Sequence, residues 1–230
     1  TECFTKSQVT LPSTVDRLTI NSITEDNRHN IWIGTHHYWL FFSSSTSNSF
    51  NYFKHSTKDP NSISNNAVTS FCEGDEIIMI GTDGGGLNTK ERNTNSFKSI
   101  KDFGNIILDV KQGKEDEFWY ATWGNSNIGV TKYNIKTNQR KPYSKGEGDN
   151  TLPTNNIHHI LVEGDSVWIT TDGAGICLIN DVTGKVTSKL NSQSSLFSEE
   201  NPQWANYIMR DSKGRLWVCT SDGIVCHQND

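Results

Sequence analysis

One ten-residue pattern returns five times along this chain of 230 residues and constrains its architecture more than anything else in it. In Val167-Trp168-Ile169-Thr170-Thr171-Asp172-Gly173-Ala174-Gly175-Ile176, an apolar residue, Trp, an apolar residue, a small residue and Thr run into a Gly-containing turn. The other copies are Ile31-Trp32-Ile33-Gly34-Thr35, Ile78-Met79-Ile80-Gly81-Thr82, Phe118-Trp119-Tyr120-Ala121-Thr122 and Leu216-Trp217-Val218-Cys219-Thr220. Their central residues, at 32, 79, 119, 168 and 217, are spaced by 47, 40, 49 and 49 positions. That step is too long for a leucine-rich repeat or a β-helix coil, and it suits a four-stranded propeller blade of roughly 40 to 50 residues.

Each unit reads as four short strands bounded by Gly, Asn, Asp and Ser, and helical periodicity is absent. The expected second strands are Ile31 to Thr35, Ile77 to Thr82, Glu117 to Thr122, Val167 to Thr171 and Leu216 to Thr220. Their first-strand partners begin at Leu18, Ala67, Ile106, Ile157 and Ala205. Glu73-Gly74-Asp75-Glu76 and Glu163-Gly164-Asp165-Ser166 read as tight hairpin turns rather than catalytic acids. The fifth unit shows three strands, and residues 3–10 form a lone strand ahead of the first unit. The expected fold is therefore an all-β propeller of five blade units spanning 1–230. It is either a section of a larger ring or a five-bladed ring whose last blade the N-terminal strand completes.

Net charge is −5 and the isoelectric point about 5.8, with no Lys/Arg block, so the chain lacks the electrostatic footprint of a nucleic-acid or anionic-membrane partner. No apolar run approaches the ~18 residues of a membrane span, and Thr1-Glu2-Cys3-Phe4 is not a signal peptide. The five Cys lack C-x-x-C spacing and suggest neither a zinc site nor a disulfide framework. Cys72, Cys177, Cys219 and Cys226 lie in apolar strand patterns and are expected to pack as small buried hydrophobes.

Gly81-Thr82-Asp83-Gly84-Gly85-Gly86-Leu87-Asn88 resembles the two-component regulator propeller repeat. So do the loops Asp59-Pro60-Asn61-Ser62-Ile63-Ser64-Asn65-Asn66 and Asp149-Asn150-Thr151-Leu152-Pro153-Thr154-Asn155-Asn156, which match the loop that precedes a unit in that family. The resemblance covers essentially the whole chain. It implies the periplasmic, ligand-sensing part of a hybrid histidine kinase of gut Bacteroidetes, responding to oligosaccharides. It also implies a homodimer in the full-length protein, further propeller blades in the same chain, usually seven to a ring, and a kinase core outside this chain. His36-His37-Tyr38-Trp39 and Trp123-Gly124-Asn125-Ser126-Asn127 depart from the D-G-G-G turn.

The recurring Trp is expected to pack between neighbouring blades. The Gly-rich turns lack the Lys-Ser/Thr and helix start of a phosphate cradle. Asp211-Ser212-Lys213-Gly214-Arg215-Leu216-Trp217 bears a faint likeness to the Asp-box turn of sialidases and reads as a structural turn. There is no G-x-S-x-G elbow or H-E-x-x-H helix. The pairs His36-His37 and His158-His159 are expected to project to opposite faces of a strand, which suits no metal. No catalytic residue, metal ligand or cofactor is expected. Ligand sites in such arrays lie on the loop-rich end, so the candidates are His36, His37, Tyr38, Trp39, Trp123, Asn125, Asp172, Trp204 and Asp222. Trp39 and Trp123 stand out because aromatic rings replace Gly or Asp there, and an aromatic face beside Asn and Asp suits a sugar. The alternatives are a propeller lyase or glycosidase, which needs clustered acid/base residues around the channel, and an interaction scaffold with no small ligand.

Overall fold

The computed structural model describes residues 18–47, 50–100, 104–124, 127–190 and 204–227, and among them every regular element is a β-strand. The lone strand expected at residues 3–10 lies outside the described residues. The chain divides into two compact units, Thr1–Ile107 and Leu108–Asp230.

The first unit carries two four-stranded antiparallel sheets. One is β1 (Ile20–Glu25), β2 (Ile31–Thr35), β3 (Leu40–Ser43) and β4 (Asn51–Phe53), and the other is β5 (Val68–Glu73), β6 (Ile77–Thr82), β7 (Gly86–Glu91) and β8 (Phe97–Ile100). In the second unit, β9 (Ile107–Gln112), β10 (Glu117–Thr122), β11 (Val130–Asn134) and β12 (Arg140–Tyr143) form one sheet. A second sheet there is β13 (Ile157–Glu163), β14 (Ser166–Thr171), β15 (Ile176–Asn180) and β16 (Val186–Leu190). The third has three strands: β17 (Ala205–Arg210), β18 (Leu216–Thr220) and β19 (Gly223–His227). Each sheet is a propeller blade with its strands in chain order. The recurring pattern forms the second strand in all five.

The core sits between successive blades of a unit. Trp32 packs with Ile63, Val68, Ile78 and Ile80 across the first and second blades. Trp119 packs with Ile157, Ile160 and Val167 across the third and fourth. Trp168 lies against Ala205, Ile208 and Val218 of the fifth. The small residue after the Trp has a steric reason, because a Cβ on Gly34 would come within 2.8 Å of Val68 Cγ1 and 3.0 Å of Val68 O.

The two family-like loops are structural plugs. Ile63 and Leu152 are fully buried, and Phe97 N–H and Val186 N–H donate to Asn61 O (2.8 Å) and Asp149 O (2.7 Å) in the same manner. The side chains of Asn66 and Asn155 accept the backbone N–H of His55 (2.7 Å) and Lys145 (2.6 Å).

The hairpin acids serve as clasps, as their reading as turns requires. Glu163 pairs with Arg210 of the fifth blade through Nε (2.5 Å) and Nη2 (2.8 Å). Glu73 pairs with Arg92 and accepts the Asn27 N–H of the first blade. Cysteine packing departs from expectation. Cys177 is buried, but Cys72 and Cys219 are half-buried and Cys226 is exposed. Cys226 follows Val225, which packs against the core of the fourth and fifth blades, so strand alternation turns Cys226 to the opposite face.

Candidate functional site

The loop-rich end is built by one device used five times. The Thr that ends each second strand donates its hydroxyl to the carbonyl at the head of the third strand. The acceptors are Trp39 for Thr35 (2.9 Å), Gly86 for Thr82 (2.7 Å), Gly129 for Thr122 (3.1 Å), Gly175 for Thr171 (2.8 Å) and Gly223 for Thr220 (3.0 Å). Four of these Thr are fully buried, and a buried hydroxyl needs such a partner.

The residue after the Thr fills a first slot whose backbone N–H ties back to the residue ahead of the first strand. His36 donates to Thr19 O (2.9 Å), Asp83 to Ala67 O (2.8 Å), Asp172 to Asn156 O (2.9 Å) and Ser221 to Trp204 O (3.1 Å). The backbone is thereby fixed, and the first-slot residue is exposed at His36 and Ser221 and half-buried at Asp83 and Asp172.

The last slot, at the head of the third strand, has a positive φ in every blade but the third, where Gly129 does not share it. Gly86 has φ +73° and Gly175 φ +70°, and Trp39 occupies the same place at φ +82°. A bulky residue there is a strained outlier, costing on the order of 1–3 kcal/mol. Its ring lies back on its own blade, stacked on Tyr52 (centroids 4.7 Å, 24°) and tilted against Phe41 at 6.3 Å. His36 and His37 are not strand residues. Both lie in the bend after Thr35, and their rings meet edge to face at 3.9 Å. The alternation of a strand therefore does not apply to them. The rings of His158 and His159 do part, the first lying towards Trp123 (6.5 Å) and the second towards Tyr207 (4.0 Å), although pairing skips His158. Tyr38 is exposed beside this group, with its N–H donated to Thr35 Oγ1 (2.9 Å).

In the second unit Trp123 fills the first slot of the third blade and is 37 % exposed. The carboxylate of Asp172, in the first slot of the fourth blade, favours a charged His158. Burial acts more strongly in the other direction and holds that imidazole below its ordinary value. Asp172 Oδ1 is shielded from solvent and has no hydrogen-bond donor among the described residues. A Cβ on the neighbouring Gly173 (φ +89°) would meet nothing within 4 Å, so the turn beside Asp172 is open. Trp204 is 53 % exposed and Asp222 is exposed, in the fifth-blade segments joined by the Ser221 N–H bond. Asn125 lies outside the described residues. The candidates thus fall into a first-unit group, His36 to Trp39, and a second-unit group around Trp123 and Asp172.

Sequence reasoning missed His158 as a site residue and missed the reason for the turn before Trp32 and Trp217. Asp211 Oδ1 accepts the N–H of Lys213 (2.9 Å) and Arg215 (3.0 Å), and its Oδ2 accepts the Trp217 indole N–H (2.9 Å). Asp26 does the same with Arg28 (3.0 Å), Asn30 (3.0 Å) and Trp32 (3.0 Å). Burial opposes the charge of Asp26, but these donors outweigh it and hold the carboxyl below its usual range. The likeness to an Asp-box is thus a structural lock between turn and Trp. An Asp six residues before the Trp in two units was the available signal.

A model of the two component regulator propeller matches residues 16–37, so the chain carries that repeat in its first blade. None of the curated proteins compared by sequence matches the chain. Solved structures share the fold. The extracellular domain ascribed to the hybrid two component system BT3049 from B. thetaiotaomicron superposes with a TM-score of 0.76 at 17% identity, over 100% of this chain and 30% of that one. The corresponding domain of BT4673 from the same organism gives 0.59 at 15%, over 94% and 33%. A catalytically inactive H270A virginiamycin B lyase from Staphylococcus aureus, solved with quinupristin, gives 0.65 at 13%, over 94% and 71%. The chain spans about a third of the length of these two extracellular domains.

Proposed function

We propose that this chain is a ligand-sensing propeller portion of a hybrid two-component sensor. It lies in the periplasm, binds an oligosaccharide at its loop-rich end and signals to a histidine kinase outside this chain, within a homodimer of the full-length protein. The observation that carries the ligand reading is Trp123. Its ring stands on the loop end of the second unit, 37 % exposed, at the first slot where Asp83 and Asp172 stand in other blades. An aromatic face in a turn adds apolar surface that folding does not require, and it suits the C–H face of a sugar. The regulator repeat at residues 16–37 and the likeness to extracellular domains of two-component systems support the sensor role.

The likeness to a lyase raises the enzymatic reading, which needs acid/base groups on the inner strands. Asp109, His159 and Tyr207 do meet there. However, Asp109 Oδ1 accepts Val110 N–H (2.9 Å) and Lys111 Nζ (2.9 Å), and Oδ2 accepts Ile160 N–H (2.9 Å), which makes it a clip between first strands. Burial pushes the His159 imidazole down to about 4, too low for an efficient base at neutral pH. Calorimetry against neutral and acidic oligosaccharides tests the sensor reading. The intact chain is expected to bind at least one of them without cleaving it, and Trp123→Ala to weaken that binding about tenfold or more. Cleavage of a bound oligosaccharide, or no binding by the intact chain, overturns the reading.

A further inference from the structure

The first strands share an irregularity with a clear function in one unit. Pairing with the second strand skips one residue between Ile20 and Ser22, between Val68 and Ser70, between Ile157 and His159, and between Ala205 and Tyr207. The bulged residues are Asn21, Thr69, His158 and Asn206, and each is polar. A bulge leaves its residue out of the ladder and re-aims its side chain. In the first unit the slot is a staple: Asn21 Nδ2 donates to Val68 O (3.2 Å), and Thr69 Oγ1 donates to Ile107 O.

His158 occupies this slot in the second unit and does not staple. Among the described residues it makes no hydrogen bond; its ring lies 6.5 Å from that of Trp123, tilted by 47°. Two polar groups therefore adjoin one another without hydrogen-bond partners among the described residues: the imidazole of His158, beside Trp123, and Oδ1 of Asp172, whose carboxylate acts on that imidazole. An acceptor kept from water without a donor is costly, and it leaves Asp172 with accepting capacity that no described residue fills. Neutral imidazole offers one donor and one acceptor, a carboxylate only acceptors, and Trp a flat apolar face. Vicinal hydroxyls on a ring with an apolar face complement that set. Among the described residues the charge that acts on His158 is the carboxylate of Asp172, and a carboxylate beside a ligand disfavours an anion.

We propose that His158 and Asp172 read the hydroxyls of a ligand lying on Trp123, and that Asp172 makes the site select neutral over acidic saccharides. This rests on the saccharide-sensing reading above and adds the residues and the charge of the ligand. The probes are neutral gluco-, galacto-, manno-, xylo- and fructo-oligosaccharides against oligogalacturonides, measured by calorimetry on the intact chain. His158→Ala is expected to weaken the neutral saccharide about tenfold, and Asp172→Asn to narrow the preference over oligogalacturonide by about fivefold or more. His158→Asn, which installs the side chain that Asn21 and Asn206 carry in the same slot, serves as the fold-preserving variant. It is expected to melt like the unaltered chain and still bind less tightly. A preference for oligogalacturonide overturns the proposal, as does neutral binding that falls in Trp123→Ala but is unchanged in both His158 variants. The latter result leaves the saccharide reading standing. No binding of any probe by the unaltered chain overturns both.

Discussion

Trp39 and Trp123 are the same departure from the repeat, an aromatic ring where a turn elsewhere has Gly or Asp, yet their surroundings differ. Trp39 sits in the last slot, at φ +82°, with its ring stacked on Tyr52 of its own blade. Trp123 sits in the first slot and remains 37 % exposed. The slot decides between them. From the last slot the Trp39 ring lies back on Tyr52 and Phe41, whereas Trp123 in the first slot keeps more than a third of its surface open. Chemical type alone does not identify a binding residue in such a repeat, and the backbone position must be known as well.

The largest expected effect tests whether the second unit, where burial holds the imidazoles of His158 and His159 below their ordinary value, is also the acid-sensitive one. His159 has a folded value of about 4 against an ordinary 6.5, and burial holds His158 down as well. The unfolded chain therefore binds more protons as pH falls from about 6.5 towards 4, and stability falls with it. For His159 the loss amounts to about 3 kcal/mol at most. Hydrogen exchange followed by peptide across that window should show protection falling in residues 108–230 ahead of 1–107, and His159→Gln should flatten the dependence. Equal loss in both units would remove the contrast.

Next in size, Trp39→Ala should lower stability by about 2 kcal/mol through the lost packing on Tyr52 and Phe41, measured by urea unfolding. Trp123→Ala should stay within about 0.5 kcal/mol. If the two substitutions cost the same, the slots do not separate packing from presentation. A smaller effect isolates the strain. Trp39→Gly should be more stable than Trp39→Ala by about 1 kcal/mol, because Gly takes φ > 0 without a Cβ penalty. Ala equal to Gly would show that the last slot is not strained.

The fold was legible because the repeat marks its own second strands. The expected Ile31 to Thr35, Ile77 to Thr82, Glu117 to Thr122 and Leu216 to Thr220 coincide with β2, β6, β10 and β18. Three features of the site were hidden for physical reasons. A bulge shifts pairing by one residue without altering the composition of the strand, so His158 read as an ordinary alternating position. The first-blade turn has four residues between Thr35 and Leu40, and the third has seven between Thr122 and Val130, so turns of unequal length concealed which slot each Trp fills. The Asp lock rests on a single shared residue: Asp26-Asn27-Arg28-His29 and Asp211-Ser212-Lys213-Gly214 agree only in their first member, and His29 (φ +60°) stands where Gly214 (φ +78°) does.

The indole environments also give the molecule built-in spectroscopic reporters. Trp32 and Trp217 each donate to a carboxylate, the Trp168 N–H is shielded and unpartnered, and Trp123 and Trp204 are open to solvent. These groups should give indole proton resonances well dispersed in chemical shift and graded in solvent exchange, and emission of differing wavelength. Trp32 lies in the first unit and the other four in the second, so each unit carries its own reporter of folding. Trp123, at the loop end, is the chromophore a bound sugar would quench or shift without an added label.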